Sequence, residues 1–358
     1  MAEAQTITAR ETVRRAIEFT GPAWTPYIIS CIPDQLTSTD AAGIEALKQG
    51  LRDLGVAETG NSFLAQSLTV NLVPRETHLP DPFRPLQGDE WVDEWGVVWS
   101  CREFPRVTGH PLEPDWALLS SYRLPDPLAA GRYAEAKRRL AQFPDRYRLG
   151  WVWFTLFERM WFLRGFNQML ADPYTNEPEF FELADRIVDF SVASIREQLA
   201  LGADGIFFSD DWGTQDRLLM NPDDWRRWYK PRYRQLFDAV HAGGAHVWMH
   251  LCGHIVPILP DLIDIGLNVL NPVQPRAMNI DKLGARFGGH VCFHGGVDVQ
   301  ETLPQGSVAD VEHEVKHLID TFGSYAGGYI GGTSHSIMPE TPPENVLALF
   351  RAFRDYTA

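Results

Sequence analysis

Cysteine is scarce. Cys31, Cys101, Cys252 and Cys292 are all that 358 residues contain, too few and too scattered for a disulfide framework, so a reduced, cytoplasmic protein is expected. Basic charge is also short: 32 Lys and Arg face 47 Asp and Glu, for a formal net charge of −15. A surface that acidic repels phosphate backbones and anionic lipid, which argues against nucleic acid and membrane as partners. Long apolar runs are missing too. The most apolar stretch, residues 151–157, ends at Glu158-Arg159, far short of the ~20 residues a membrane helix needs. Residues 1–10 are polar, with no signal core. No Gly-x-Gly-x-x-Gly follows an apolar run, against a dinucleotide-binding domain.

What is present is ordinary globular composition, 44% hydrophobic and 22% charged, in a chain long enough for one large α/β barrel. From about residue 150 onward, short runs rich in Val, Ile, Phe and Trp alternate with longer amphipathic stretches. The runs at 150–156, 204–208, 246–250, 268–271, 290–294 and 328–330 predict buried strands. The stretches at 179–201, 222–242, 255–265, 280–287 and 308–322 predict helices, opened by caps such as Asn221-Pro222 and closed by glycines such as Gly202 and Gly266. Two upstream runs, 27–30 and 66–72, bring the strands to eight. Repeated strand–helix units with both strand faces apolar predict an α/β fold, a single (β/α)8 TIM barrel over residues 1–358. Residues 75–127, rich in Pro, Trp and acid, interrupt the alternation and predict an inserted antiparallel cap after the second strand. Trp91, Trp95, Trp99 and Trp116 of that cap are candidates to line a pocket, and the acidic run 89–94 reads as a solvated face.

In such a barrel the chemistry sits at the C-terminal ends of the strands. Those ends here carry Glu158 after the third strand, Asp210-Asp211-Trp212 after the fourth, and His250-Leu251-Cys252-Gly253-His254 after the fifth. Asn271 and Gln274 follow the sixth, His294-Gly295-Gly296-Val297-Asp298 the seventh, and Ser334-His335-Ser336 the eighth. In an extended segment residues i and i+2 share a side, so His250 and Cys252 are placed to grip one ion, with His335 as third ligand. Taken alone, His-x-Cys favours a hydrogen-bonded imidazole beside a small buried thiol; His335, His294 and Glu158 at the same mouth bring the metal reading level with it. Asp211, Glu158 and His335 are the candidate catalytic groups. Asp210, Trp212, Asn271, Gln274, His294, Asp298 and Arg75 are the candidate substrate contacts. Adjacent carboxylates point to opposite sides, so one of Asp210 and Asp211 faces the cavity while the other caps a helix or pairs with a base.

These residues resemble the uroporphyrinogen decarboxylase superfamily, which includes corrinoid- and coenzyme M-dependent methyltransferases. The segment running from Ser334-His335-Ser336-Ile337-Met338-Pro339-Glu340 to Val346 is similar to its C-terminal signature. Asp211-Trp212-Gly213-Thr214-Gln215, Asn271-Pro272-Val273-Gln274-Pro275 and Gly295-Gly296-Val297-Asp298 resemble a decarboxylase-like branch. The resemblance implies the same barrel. It also implies what is missing: the true decarboxylases carry an arginine-rich segment after the first strand, where this chain reads Tyr27-Ile28-Ile29-Ser30-Cys31-Ile32-Pro33-Asp34-Gln35. The methyltransferases hold zinc through His-x-Cys at the fifth strand, matched by His250 and Cys252, and a Cys at the eighth, where His335 stands.

The expectation is therefore a zinc-dependent methyltransferase acting between a small methylated substrate and a corrinoid on a partner protein. Two alternatives stay open. One is a carboxy-lyase of a smaller acid or tetrapyrrole, with Arg75, Arg164 or Arg276 holding the carboxylate. The other is a non-catalytic barrel that binds a tetrapyrrole or corrinoid. The cap and the superfamily's habit point to a homodimer.

Overall fold

The computed structural model describes residues 7–59, 62–65, 69–74, 84–85, 89–100 and 105–356. Seven parallel strands lie side by side in sequence order: Thr69–Leu72, Tyr147–Val152, Gly205–Ser209, His246–His250, Val269–Val273, Cys292–Val297 and Tyr329–Thr333. They are the second to eighth strands of a (β/α)8 barrel. The first is abbreviated to a parallel bridge between Tyr27 and Gly331, held by Ile28 N–H to the Gly331 carbonyl (2.8 Å) and Gly331 N–H to the Pro26 carbonyl (2.7 Å). Pro26 has no N–H to extend that ladder. Instead of continuing along the barrel, Ile29–Cys31 pairs antiparallel with Ser62–Ala65, which pairs in turn with Ala57–Thr59.

Other boundaries move for local reasons. The third strand runs over Tyr147–Val152 rather than 150–156. The helix expected over 222–242 is two, Pro222–Trp228 and Lys230–His241. Pro231 has no N–H to give and crowds the carbonyl a turn before it, which favours a break just ahead of it, at Tyr229. Only Leu259–Asp264 of the stretch 255–265 is α-helical. The helices Pro178–Ala200, Ile280–Phe287 and Val308–Phe322 stand within a residue of expectation.

The barrel has two apolar layers. Inside it, Tyr147, Leu149, Phe207, Trp248, Val269, Cys292 and Ile330 pack with Val13, Ala16 and Ile17 of the helix Ala9–Ile17. That helix plugs the N-terminal end: Arg10 pairs with Asp204 at 2.6 Å, just before the fourth strand, and the Ala16 carbonyl accepts from Gly328 N–H at 2.7 Å, just before the eighth. Outside, the surrounding helices bury their apolar stripes on the sheet, as Val311, Val315, Leu318 and Phe322 do. With one end closed, access to the interior is from the strand C-termini.

Within residues 75–127, the strands Arg84–Pro85, Glu90–Val92, Val98–Ser100 and Arg106–Gly109 form an antiparallel sheet. Of the acidic run 89–94, Asp89 is exposed, but Asp93 and Glu94 at the tight turn are not solvated. Asp93 is 7% exposed and accepts from Trp95 N–H, Val97 N–H and the Trp99 indole at 2.9 to 3.0 Å. Glu94 makes a buried two-point pair with Arg132 (2.9 and 2.6 Å). Asp93 and Glu94 fold inward because each finds its donors there, which is the condition for burying a charge.

Candidate metal centre and its cavity

The parallel register sets Ser209, His250 and Asn271 on neighbouring rungs at the strand C-termini. Beyond His250 the pleat turns Leu251 into the core and returns Cys252 to the mouth, so His250 Nε2 and Cys252 Sγ lie 3.2 Å apart. His335, two residues past the eighth strand, completes the group: one ligand atom from each of His250, Cys252 and His335 lies within 4.8 Å of the others.

The histidine is oriented from behind. His250 Nδ1–H donates to Asn271 Oδ1 (2.8 Å), and Asn271 Nδ2 donates to His294 Nδ1 (3.0 Å). This chain leaves His250 Nε2 as the lone-pair nitrogen facing Cys252, the tautomer a metal ligand needs. Burial lowers the pKa of His250 and pushes His294 down to about 4, so both are neutral imidazoles at neutral pH. Burial, with the Asp211 carboxylate beside it, pushes the Cys252 thiol far up. Only a cation at the cluster would reverse that.

Asp210 and Asp211 divide their tasks by strand parity. Ser209 and Asp211 turn to the cavity, Asp210 and Trp212 to the surrounding helices. Asp211 Oδ1 accepts from Cys252 N–H (3.0 Å) and lies 3.7 Å from His250 Nε2. Asp210, expected to contact substrate, is fully buried and has no access to it. Its oxygens accept from the N–H groups of Leu156, Phe157 and Glu158 (2.7 to 3.1 Å) and from the Tyr233 hydroxyl (2.6 Å), capping the helix Phe157–Arg164. Trp212, also expected at the substrate, stacks on Phe157 at 4.2 Å and gives its indole N–H to Tyr233.

Glu158 lines the cavity and accepts from the Ser209 hydroxyl at 3.0 Å. Burial, then the negative charges of Asp210 and Asp211, push it up to about 9. Asp210 itself is pushed up to about 6 by burial, against the four donors that pull it down. At neutral pH the upper carboxyl therefore keeps its proton and the lower one is ionised.

The remaining expected contacts scatter. Asn271, His294, His335, Glu158 and Asp211 all line one cavity of about 730 Å³. Gln274 is turned away, its oxygen accepting from Gly253 N–H. Asp298 is 2% exposed and held by Arg276 (2.7 Å) and Gln300 N–H (2.9 Å). Arg276 is thereby committed, as is Arg164, which pairs with Asp172 and donates to the Leu112 and Glu113 carbonyls. Arg75 lies outside the described residues. Among the described residues that line the cavity there is no Lys or Arg. Sequence reasoning missed Ser209, Trp151 and Phe207 as wall residues, although period-two counting back from Asp211 along the fourth strand finds Ser209 and Phe207. It missed Asn71 and Cys31 because nothing local marks them.

A family model described as Uroporphyrinogen decarboxylase (URO-D) matches residues 102–356. The uroporphyrinogen decarboxylases of Bacillus thuringiensis (strain Al Hakam) and Bacillus anthracis are each 29% identical over 199 residues, covering 54% of this chain and 53% of theirs. The chain thus spans about half the length of the curated relatives it matches. Among solved structures, a methyltransferase from Methanosarcina mazei is similar over 98% of this chain and 99% of its own, with a TM-score of 0.67 at 20% identity. That likeness is one of fold. Among the described residues, no helix is long and apolar enough to cross a membrane.

Proposed function

The chain belongs to the uroporphyrinogen decarboxylase family, and from that premise and the geometry of its cavity we propose that it is a zinc-dependent methyltransferase, moving a methyl group between a small methylated substrate and a corrinoid on a partner protein. One observation carries the reading: His250, Cys252 and His335 bring two imidazoles and a thiol within 4.8 Å of one another, with both histidines on the cavity wall. Two nitrogens and a sulfur fit the zinc donor set, and three protein ligands leave the open position of a catalytic site. Zinc held there supplies Lewis acidity to an oxygen or sulfur of the substrate and favours Cys252 as thiolate.

The chain's own residues do the rest. Asn271 fixes the His250 tautomer and His294 fixes Asn271. Glu158 holds a proton at neutral pH on a cavity-lining carboxyl, suited to protonating a leaving group. Asp211 ties the Cys252 backbone to the fourth strand. A substrate with many carboxylates is disfavoured, because no Lys or Arg faces it among the described lining residues.

Metal analysis of purified protein never exposed to chelator tests the reading. The expected result is close to one zinc per chain, lost in Cys252→Ala without unfolding. Protein without zinc that also fails to take it up would end it. A second reading, a carboxy-lyase of a smaller acid, draws on Glu158 as a neutral proton donor and on the curated relatives. Release of carbon dioxide by zinc-free protein, unchanged in Cys252→Ala, would favour it.

A further inference from the structure

A second chamber of about 680 Å³ adjoins the metal-centre cavity, and Asn71, Trp151, Trp153 and Phe154 line both. Its far wall is the antiparallel insertion. Trp91 and Trp99, cross-strand neighbours, lie nearly parallel (9°) with centroids 6.4 Å apart, and Trp95 covers the Arg159 guanidinium at 4.4 Å. Phe154, on the partition, has φ of 52°, a left-handed backbone that costs a non-glycine residue energy and tends to persist where function holds it.

The polar complement of this chamber is specific. Among the described lining residues the formal charges cancel, with Arg132 and Arg159 against Asp93 and Glu94. Arg132 and Glu94 satisfy each other. Arg159 is not satisfied in the same way. It is 7% exposed and approaches Asp93 only to 3.5 Å, because that carboxylate is already engaged by three N–H donors. Among the described lining residues, three buried polar atoms lack a hydrogen-bond partner: the donors Arg159 Nη1 and Trp151 Nε1, and the acceptor Asn71 Oδ1. Buried donors without partners are rare in native proteins and mark where another group belongs.

We propose that this chamber is a recognition site for a flat aromatic ring bearing an uncharged acceptor oxygen, an aryl carbonyl, whose methyl-bearing end extends past Phe154 to the candidate metal centre. Aromatic walls select the ring. Unpartnered donors select an acceptor oxygen, and the cancelled charges favour a neutral one over a carboxylate. The inference rests on the methyl-transfer reading only for the position of the methyl group; the binding site stands without it.

The test is calorimetric titration of the intact, chelator-treated chain with 4-methoxyacetophenone, methoxybenzene and 4-methoxybenzoate. The expected result is that the ketone binds at least about tenfold more tightly than either of the others, since a site built to hydrogen-bond rejects the analogue lacking the group. Arg159→Gln should bring the ketone and methoxybenzene within about twofold of each other, and Trp91→Ala should weaken both by about fivefold or more. Equal affinity for ketone and methoxybenzene, tighter binding of the benzoate, or a preference surviving in Arg159→Gln overturns it. If Arg159→Gln does not fold, an unchanged ketone affinity in Trp91→Ala overturns it as well. Protein that binds the ketone but never zinc keeps this inference and loses the metal reading, and protein that holds zinc but not the ketone does the reverse.

Discussion

The two chambers that meet at Trp151 and Phe154 are built on opposite terms. On the side of the fourth to eighth strands, polar groups are already joined to one another: His294 to Asn271 to His250, Ser209 to Glu158, Asp210 to four donors. In the chamber that the insertion closes, aromatic walls meet two donors of the barrel, Trp151 Nε1 and Arg159 Nη1, that have no hydrogen-bond partner among the described residues. A network closed before substrate arrives holds reacting groups in place, which is what chemistry requires. Donors left open hold nothing until a ligand completes them, which is what recognition requires. The parallel register makes the first possible by repeating one geometry at each strand end. The antiparallel insertion, free of that repeat, makes the second.

Four changes would break or sharpen the contrast. The largest effect is expected from Asp210→Asn, which removes a buried charge from four donors. Stability should fall by roughly 3 kcal/mol or more, the scale for leaving a buried ionic network unsatisfied. A melting temperature within a degree of the parent would show that the network is not the scaffold of the helix Phe157–Arg164. Its neighbour should behave in the opposite way. Asp211→Asn is expected to cut turnover by ~10²-fold or more with little change in melting, and equal activity loss in both variants would sink the parity argument.

A smaller effect is expected from Asn271→Ala. Freed from its partner, His250 no longer holds one tautomer, and zinc affinity should weaken by roughly 10- to 100-fold, the usual cost of losing the group behind a ligand. Unchanged affinity in a zinc titration would remove Asn271 from the centre. Smallest is Glu158→Gln, read through pH. In the unfolded chain the carboxyl ionises above its ordinary value near 4.5, while the folded protein keeps the proton to about 9. Stability is therefore lost as pH rises across that window. Glutamine carries no such penalty, so the variant should become the more stable protein by on the order of 1–3 kcal/mol at pH 8 and show no advantage at pH 4. A melting difference independent of pH would mean that Glu158 ionises normally.

The second half of the barrel was legible because its signals are local. Apolar runs of strand length, Asn and Ser caps and closing glycines fall within a few residues of one another, and the strand-end list followed directly from them. Asp211, His250 and Cys252 could be placed at the mouth by counting in twos. Trp212 and Asp210 could have been removed by the same count, had it been anchored on Ser209. The first half resisted, because Ile29–Cys31 finds its partner at Ser62–Ala65, beyond the helix Ala41–Asp53 and the strand Ala57–Thr59, and no periodicity announces such a pairing. Glu94 read as solvated for a related reason: its partner Arg132 lies 38 residues away in the chain. Asp93 finds its donors within six residues, but only the turn that folds Trp95, Val97 and Trp99 back onto it brings them there.

What the amino-acid sequence determined by itself was the alternation of strand and helix, and with it the barrel and the polar character of its mouth. Burial patterns of period two and 3.6 are properties of neighbouring residues and survive without knowledge of the fold. Only the tertiary structure decided that His335 joins His250 and Cys252, that Asn271 stands behind the imidazole, and that Arg159 reaches the insertion with a donor to spare. Each of these is a contact between elements distant along the chain. Its distance is set by how the sheet curls and where the insertion returns, and neither is written in any one segment.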